Sequence, residues 1–448
     1  MEKSSKLGKL TLLNIILFGF IGQVAWAVEN NFFNTFLFSF GGSTSDISTM
    51  VAASSVVAVV TTFVMGTLSD KLGKRKIFIC VGYIAWGITV MSFAFISREN
   101  LGKLIGQDPA SAAALSATVT AVIIMDCLMT FMGSTSNDSA FNAWITDVTV
   151  PSNRAKTEGL LAILPVLALA IVTAVFGFIA GDNAQASDYS VCFLGLGILV
   201  IVCGIIGIFS IKDTGSGQKT DGNFFADLVY GFRPSVIKSH KCLYLALACM
   251  GVYSVASQVF FPYIFIYIEH QINFDAKVSI PSVIIAAIVV IAVLGGVLAS
   301  ILLMDKMGKS RFAVPAVILF VVGLTAVYFA GSDFVKFIAC AAAAIGGYGL
   351  LMILLNAAIR DFTPEDKAGQ FQGVRMIFAV MLPMIIGPRI GAEITQRYST
   401  TTYTSAYNEP TLVPSAHVFL ASAIIGIFIL IPLFFLLKEW KKEEKNNS

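Results

Sequence analysis

Apolar stretches of membrane-spanning length recur about twelve times along this 448-residue chain, and nothing else limits its fold so strongly. Hydrocarbon offers backbone polar groups no water. A chain that enters it repeatedly must therefore satisfy its hydrogen bonds inside helices or in a closed barrel. Stretches of about 20 residues or more suit helices, whereas barrel strands need about half that length. The spans read as 11–39, 47–68, 77–96, 116–146, 156–180, 189–211, 241–268, 279–303, 312–331, 334–359, 370–394 and 413–437. Several exceed 25 residues, which implies tilt or extension beyond the bilayer. Composition agrees: 13% of residues are charged, where a soluble protein carries about 25%. The first span is too long, and too polar in its second half, for a cleaved signal peptide. An all-α membrane protein with twelve transmembrane helices is expected, and no soluble domain of useful size remains.

Two short loop signatures occur once in each half. LSDKLGKR from Leu68 returns as LMDKMGKS from Leu303, and NAWITDVT from Asn142 returns as NAAIRDFT from Asn356. The chain therefore reads as one six-helix unit used twice, with halves at 1–211 and 241–448 joined by a cytoplasmic linker at 212–240. That linker opens with DTGSGQKTDG. Repeats of membrane helices are a transporter signature, because two halves can rock about a site at their interface.

Lys and Arg set the orientation. With a cytoplasmic amino terminus, 23 of the 30 fall in inner segments and five (Arg98, Lys103, Lys277, Lys336, Arg397) in outer loops. Arg375 and Arg389 lie within the eleventh span. Both termini are expected in the cytoplasm of a multi-pass cell-membrane protein. A net charge of +3 gives no sign of nucleic-acid binding. The seven cysteines form no CxxC and have no His at metal-ligand spacing, so they read as small packing residues and no metal site is expected. The three histidines sit near predicted membrane boundaries, which argues against a proton-relay histidine in the bundle. No GxSxG, HExxH or P-loop pattern is present, so neither an enzyme nor a cofactor is expected.

The repeated loops suit an inner gate. Asp70 sits at a helix end before a glycine turn and a basic cluster that includes Arg75, and Asp305 repeats that position. Such groups can hold neighbouring helix ends closed and must part when that face opens. Asp147 precedes Pro151 and Arg154, and Asp361 precedes Pro364 and Lys367. Proline stops the helix, and the following base can turn back to pair with a carboxylate. For Asp147 and Arg154 a structural loop role competes evenly with gating.

The first span carries Gln23, Trp26, Asn30 and Asn34 within about 80° of one helical face at 100° per residue. Amides exchange hydrogen bonds with hydroxyls, and an indole packs on the apolar face of a sugar ring. Interhelix contact is the competing role for the asparagines. Glu29 is offset by about 60° from Trp26. An unpaired charge at that depth costs on the order of 2.5–3.5 kcal/mol, so Glu29 faces the bundle or titrates. The fourth span adds Asp126, Asp138 and Asn142, the last two on one face at i,i+4. A carboxyl in apolar surroundings can load a proton and release it on rehydration, or hold sodium instead. In the second half Gln258, Tyr263 and Tyr267 line the seventh span and Asn356 the tenth. Arg375 either neutralises Asp138 or snorkels to the inner surface.

The loop pattern after the second span, with its partner after the eighth, resembles that of the major facilitator superfamily. QVAWAVE from Gln23 is similar to the first-helix pattern of sucrose–proton symporters, QFGWALQ, and RDFTPEDKAGQFQGVRMIF from Arg360 resembles the matching loop of bacterial relatives. The whole chain thus resembles the glycoside–pentoside–hexuronide:cation symporter group. The resemblance implies the major facilitator fold and cation-coupled uptake of a sugar or glycoside by a monomer in the bilayer. It also implies that Gln23, Trp26 and Glu29 line the sugar side and that Asp138 matches the fourth-helix acid of melibiose permease. Glu29 replaces the usual Gln, and Asn142 stands where sucrose symporters carry a coupling Arg. The second span has no acid beyond Asp46, where melibiose permease keeps sodium-site carboxylates, which favours a proton over sodium. A carrier or exporter of another solute, and a non-transporting sensor, are the alternatives.

Overall fold

In a computed structural model, which describes residues 7–149, 151–180, 186–213, 230–272, 280–364 and 368–446, the chain is helical almost throughout. The first eight helices are α1 (Lys9–Ser39), α2 (Thr44–Leu72), α3 (Arg75–Ser92), α4 (Arg98–Ile105), α5 (Ala112–Gly133), α6 (Asn142–Val148), α7 (Pro151–Ala180) and α8 (Ala186–Ser210). A π-helical segment, Ser134–Phe141, joins α5 to α6, so the fourth span is continuous over Ala112–Val148. The remaining helices are α9 (Pro234–Ser239), α10 (Lys241–Gln258), α11 (Ile264–Gln271), α12 (Ile280–Met307), α13 (Ser310–Ala330), α14 (Phe334–Phe362), α15 (Ala368–Met376), α16 (Leu382–Tyr398), α17 (His417–Ile427) and α18 (Leu430–Asn446). A second π segment, Ile377–Met381, lies between α15 and α16, and β1 (Thr402–Thr404) pairs with β2 (Pro410–Leu412) in a small hairpin.

Among the described residues eleven helices are long and apolar enough to cross a membrane, and each coincides with an expected span. The fifth expected span is α7, whose described apolar part is Ile163–Val175. The boundary between the ninth and tenth spans, the least marked in the sequence, is made by two residues. Gly331 takes a positive φ of 63°, and the Asp333 carboxylate caps α14 by accepting from Val335 and Lys336 N–H at 3.0 Å each.

The chain divides into two compact units, Met1–Gly222 with Thr404–Thr411, and Asn223–Tyr403 with Leu412–Ser448. Within the first, α3 packs along α8, α1 on α7, and α2 on α5 and its π segment. A side chain on Gly87 would meet Gly197 O at 2.6 Å, so α3 and α8 touch through backbone. The second unit repeats the device: α13 packs along α14, and a Cβ on Gly323 would lie 2.4 Å from Ala344 N. Membrane helices gain little from burying apolar groups they could leave in lipid, so close backbone contact of this kind holds them together.

Candidate functional site

The polar interior of the first unit is built on α1, α2 and the fourth span. Glu29 is 9% exposed and Asp126 1%. Thr130 Oγ1 donates to Glu29 Oε1 at 2.7 Å, Asp126 is an electrostatic neighbour of Glu29, and Glu29 Oε2 and Asp126 Oδ1 are buried without a hydrogen-bond donor. Ser54 on α2 is buried near Asp126 and donates to Val51 O at 3.3 Å. Asp126 and Thr130 are one turn apart on α5 and present one face to Glu29. The expectation that Glu29 faces the bundle agrees with this burial.

A second cluster surrounds Trp26. Its indole donates to Asn137 Oδ1 at 3.3 Å and also hydrogen-bonds Asp138. Asn137 Nδ2 donates to Tyr83 Oη at 2.7 Å, and Tyr83 donates on to Phe18 O at 2.6 Å. Trp86 packs on Trp26 at 5.0 Å, and a side chain on Gly133 would run into both indoles at 2.8–2.9 Å. Asp138 is half-buried and accepts from Ser134 Oγ at 3.0 Å.

Asn137 and Asp138 reach this position through the π segment. Its sequence, STSNDSAF, is rich in short polar residues, and Thr135 and Ser136 donate back to Phe131 O and Met132 O at 2.7 and 2.8 Å. Such back-bonding competes with the helical ladder and loosens it. Single-turn π segments inside membrane helices often mark functional positions. A uniform 100° step per residue therefore does not hold between Asp126 and Asp138.

The amide face of α1 is only partly free. Asn30 and Asn34 donate to Trp26 O and Asn30 O at 2.8 and 2.9 Å, so both spend a donor on their own helix. Asn30 is exposed, Gln23 and Trp26 half-buried, and Asn34 buried with its Oδ1 lacking a donor. Asn142 is exposed and donates to Asp138 O at 3.0 Å. Sequence reasoning missed Ser54, Tyr83, Trp86, Thr130 and Asn137. The visible signal was polar residues at i,i+4 from Asp126 in an apolar helix.

The second unit is differently furnished. Arg375 donates to Asn356 Oδ1 at 2.8 Å, a neutral partner. Tyr263 is fully buried and donates to Pro388 O at 2.7 Å, so its hydroxyl is spent on the fold. Gln258 is half-buried where α10 crosses α16, against Gly387. Tyr267 packs edge-on against Phe419.

At the loop signatures the two units repeat one pairing. In the first, Arg75 is 3.3 Å from Asp147 and donates to Ser69 Oγ at 2.6 Å. In the second, Lys309 is 2.7 Å from Asp361. Each pair joins the base of one signature to the acid of the other. Gly73 and Gly308, at φ 62° and 86°, end the preceding helices and free the base to reach across. Of the bases expected to turn back, Lys367 lies outside the described residues, as do the side chains of Arg154, Asp70 and Asp305.

Two units of membrane helices with matching loop pairs agree with the comparison to known proteins. The sequence profile of the Major Facilitator Superfamily matches residues 15–388 and 302–448. The chain belongs to the Major Facilitator Superfamily. Membership makes it a multi-pass transporter and not an enzyme. No curated protein matches it by sequence. Solved structures of the same fold include the nucleoside transporter NupG, at TM-score 0.66 and 11% identity over 96% of this chain and 100% of that one. The xylose transporter XylE from E. coli, inward open, gives 0.63 and 11% over 94% and 95%. A bacterial homologue of the human lysosomal transporter Spinster gives 0.60 and 14% over 96% and 97%. In this superfamily member the arrangement offers buried carboxyl groups beside an indole-and-amide face in one unit, and an Arg–Asn pair with buried tyrosines in the other.

Proposed function

We propose that this chain is a proton-coupled symporter for a sugar or glycoside, of the glycoside–pentoside–hexuronide:cation type. The observation that carries the reading is the buried Glu29–Asp126 pair one turn from Trp26 on α1, with Asp138 on the indole itself. Acids with no purpose are costly at membrane depth. Next to an aromatic plane and amides they suit coupling to a polyhydroxylated solute. Gln23, Trp26, Asn30, Asn34 and Asn142 supply the solute face, with Gln258 and Asn356 from the second half, while Tyr263, expected there from the sequence, is taken up by the fold. Glu29, Asp126, Asp138 and Arg375 serve coupling. Asp70, Arg75, Asp147, Arg154, Asp305 and Asp361 form the inner gate. In this reading the chain works as a monomer in the cell membrane with both termini inside, and the halves 1–211 and 241–448 are its moving bodies about the 212–240 linker.

The test is sugar-dependent alkalinisation of the medium by energised cells, followed by a solute panel in proteoliposomes. The panel includes xylose and nucleosides, which two fold neighbours are named for and which share a five-carbon sugar. Alkalinisation with at least one sugar is expected. Uptake that follows a sodium gradient would shift the coupling ion, and uptake of non-sugar solutes alone would leave the carrier without this substrate class.

A further inference from the structure

The segment between α16 and α17, STTTYTSAYNEPTLVPSA from Ser399, is polar and sets an acid and two tyrosines between apolar helices. Its stem belongs to the second unit. Ser399 Oγ donates to Val413 O at 2.6 Å, Val413 N–H donates to Thr401 O at 3.0 Å, and Tyr403 packs on the His270 ring at 4.7 Å. Its tip, Thr404–Thr411, belongs to the first unit. The tip is held in shape by its own bonds. The buried Ser405 hydroxyl accepts from Tyr407 and Glu409 N–H at 3.3 and 3.2 Å, and Asn408 takes a left-handed φ of 59°. The surface that receives the tip is also self-contained. Arg98 opens α4 with its side chain fully buried, and it donates to Pro109 O, Phe40 O and Ser111 O at 2.7, 3.2 and 3.1 Å. Those acceptors are neutral, so the buried guanidinium still needs a counter-ion. The tip supplies one: Glu409 lies 3.5 Å away, and the Tyr407 ring covers the guanidinium at 4.4 Å. The Tyr407 hydroxyl donates to Glu99 at 2.6 Å, and Thr411 Oγ1 donates to Gly41 O at 3.2 Å. A side chain on Gly41 would lie 3.0 Å from Glu409 Cβ, so the glycine leaves room for the tip.

We infer that residues 404–411 are a detachable latch, and that the face of the first unit they cover opens only when they lift from Arg98. Gly41 lies just before α2 and the LSDKLGKR signature at its far end, so this face is opposite the loop signatures. Chain connectivity carries the step. Tip and stem are separated by single peptide bonds, 403–404 and 411–412. One residue reaches at most about 3.6 Å, so a stem that moves away by more than this takes the tip with it. The contacts suit release. Detachment breaks the Glu409 ion pair, the Tyr407 ring contact and the hydroxyl bonds of Tyr407 and Thr411. Arg98 keeps its three carbonyls and the tip keeps its Ser405 bonds, so neither part has to unfold. The inference rests on the reading that the two halves move during transport, and on nothing about cargo or coupling ion.

Cysteine labelling of the full-length protein in sealed membranes tests it, with an impermeant maleimide applied from the hairpin's side and no solute present. The chain without an added cysteine gives the background of its seven native thiols. Two reporters are compared: Thr411→Cys in the buried part of the tip, and Asn30→Cys at an exposed position on α1. Both are expected to react slowly until the latch is weakened by Tyr407→Phe or Glu409→Gln. Each weakening is expected to raise both rates together, by about fivefold for Tyr407→Phe, the equivalent of one hydrogen bond. A rise at Thr411→Cys alone would make the hairpin a local cover, and a rise at Asn30→Cys alone would mean that the face opens with the tip in place. A rise at neither would mean that these contacts do not hold the tip. Fast labelling of Asn30→Cys with the latch unaltered would mean that the docked tip closes nothing. Each of these outcomes overturns the latch. Since no solute enters the measurement, a joint rise without sugar-dependent alkalinisation leaves the latch standing while the symport reading falls.

Discussion

The two units match at their loops and differ in their interiors. Arg75–Asp147 and Lys309–Asp361 are cross-signature pairs of one kind, made from the same acid position and from bases one position apart, each after a left-handed glycine. Between those loops the first unit buries Glu29 and Asp126 and half-buries Asp138, while the second sets a half-buried Arg375 against a neutral Asn356. The loop pairs, which the proposed reading assigns to the inner gate, are thus the parts that the two halves share. Buried acids are not shared, as the proposed reading expects if one half carries the coupling ion.

The strongest way to break that comparison is to neutralise the charged interior. A proton entering across 100 mV brings about 2.3 kcal/mol, enough to sustain about a 50-fold solute gradient. Glu29→Gln is expected to collapse accumulation to equality while solute exchange survives, measured as uphill and counterflow uptake in vesicles. Arg375→Gln, in the second unit, is expected to leave accumulation above equality. Equal collapse in both would place coupling across the two units and end the contrast.

The loop pairs sharpen it from the other side, since they repeat in kind but not in burial. Arg75 is 8% exposed, whereas Lys309 and Asp361 are about one-third exposed by side chain. Asp147→Asn leaves a buried guanidinium short of its counter-ion and is expected to cost about 2–4 kcal/mol. Asp361→Asn removes a solvated pair worth at most about 1 kcal/mol. Thermal melting of the purified protein checks the order. A charge swap, Arg75→Asp with Asp147→Arg, is expected to recover part of the loss.

Buried tyrosines give a third contrast. Tyr83 supports Trp26 through Asn137, while Tyr253 donates to Tyr348 O at 3.0 Å inside the second unit. One hydrogen bond is worth about 1 kcal/mol, or about fivefold in binding. Tyr83→Phe is expected to raise KM about fivefold through a looser Trp26. Tyr253→Phe is expected to lower stability by a similar energy with KM unchanged.

Span positions were legible because lipid leaves one solution for an apolar stretch of that length, and the eleven qualifying helices fall where hydropathy places them. The duplicated loops were legible as local strings. What the strings could not show was which acid meets which base. Asp147 was expected to pair with a following residue, and its partner is Arg75, 72 positions earlier in the chain. The proximity of Glu29 to Asp126 was equally hidden, since it depends on how α1 packs on the fourth span. The π segment was missed because periodicity analysis assumes a constant turn angle, and Thr135 and Ser136 break that assumption by back-bonding.

The smallest expected effect lies on the loops outside the spans, where each unit lowers the pKa of one carboxyl by a different means. Asp333 is held down first by the backbone N–H of Lys336 on its own helix. Burial pushes Glu99 up, and the Tyr407 hydroxyl, donating at 2.6 Å from 308 positions along the chain, outweighs it together with local donors and Arg98. Arg98 is fully buried, stacks on Tyr407 at 4.4 Å and pairs with Glu409 at 3.5 Å, so the hairpin tip and this helix start form one node. A depressed carboxyl pKa stabilises the folded state above the ordinary value of 4.5, and that contribution is lost as pH falls through the lowered pKa. Glu99 is mostly solvated, so the contribution stays under about 1 kcal/mol. Tyr407→Phe is expected to raise the Glu99 pKa and to speed hydrogen exchange of the 404–411 backbone at neutral pH, with the difference from wild type shrinking on acidification. Asp333 is expected to titrate unchanged in that variant, because its donors belong to its own helix. A Glu99 pKa that did not move would mean that the local donors and Arg98 alone hold it down, and both units would then fix their outer carboxylates in the same local way.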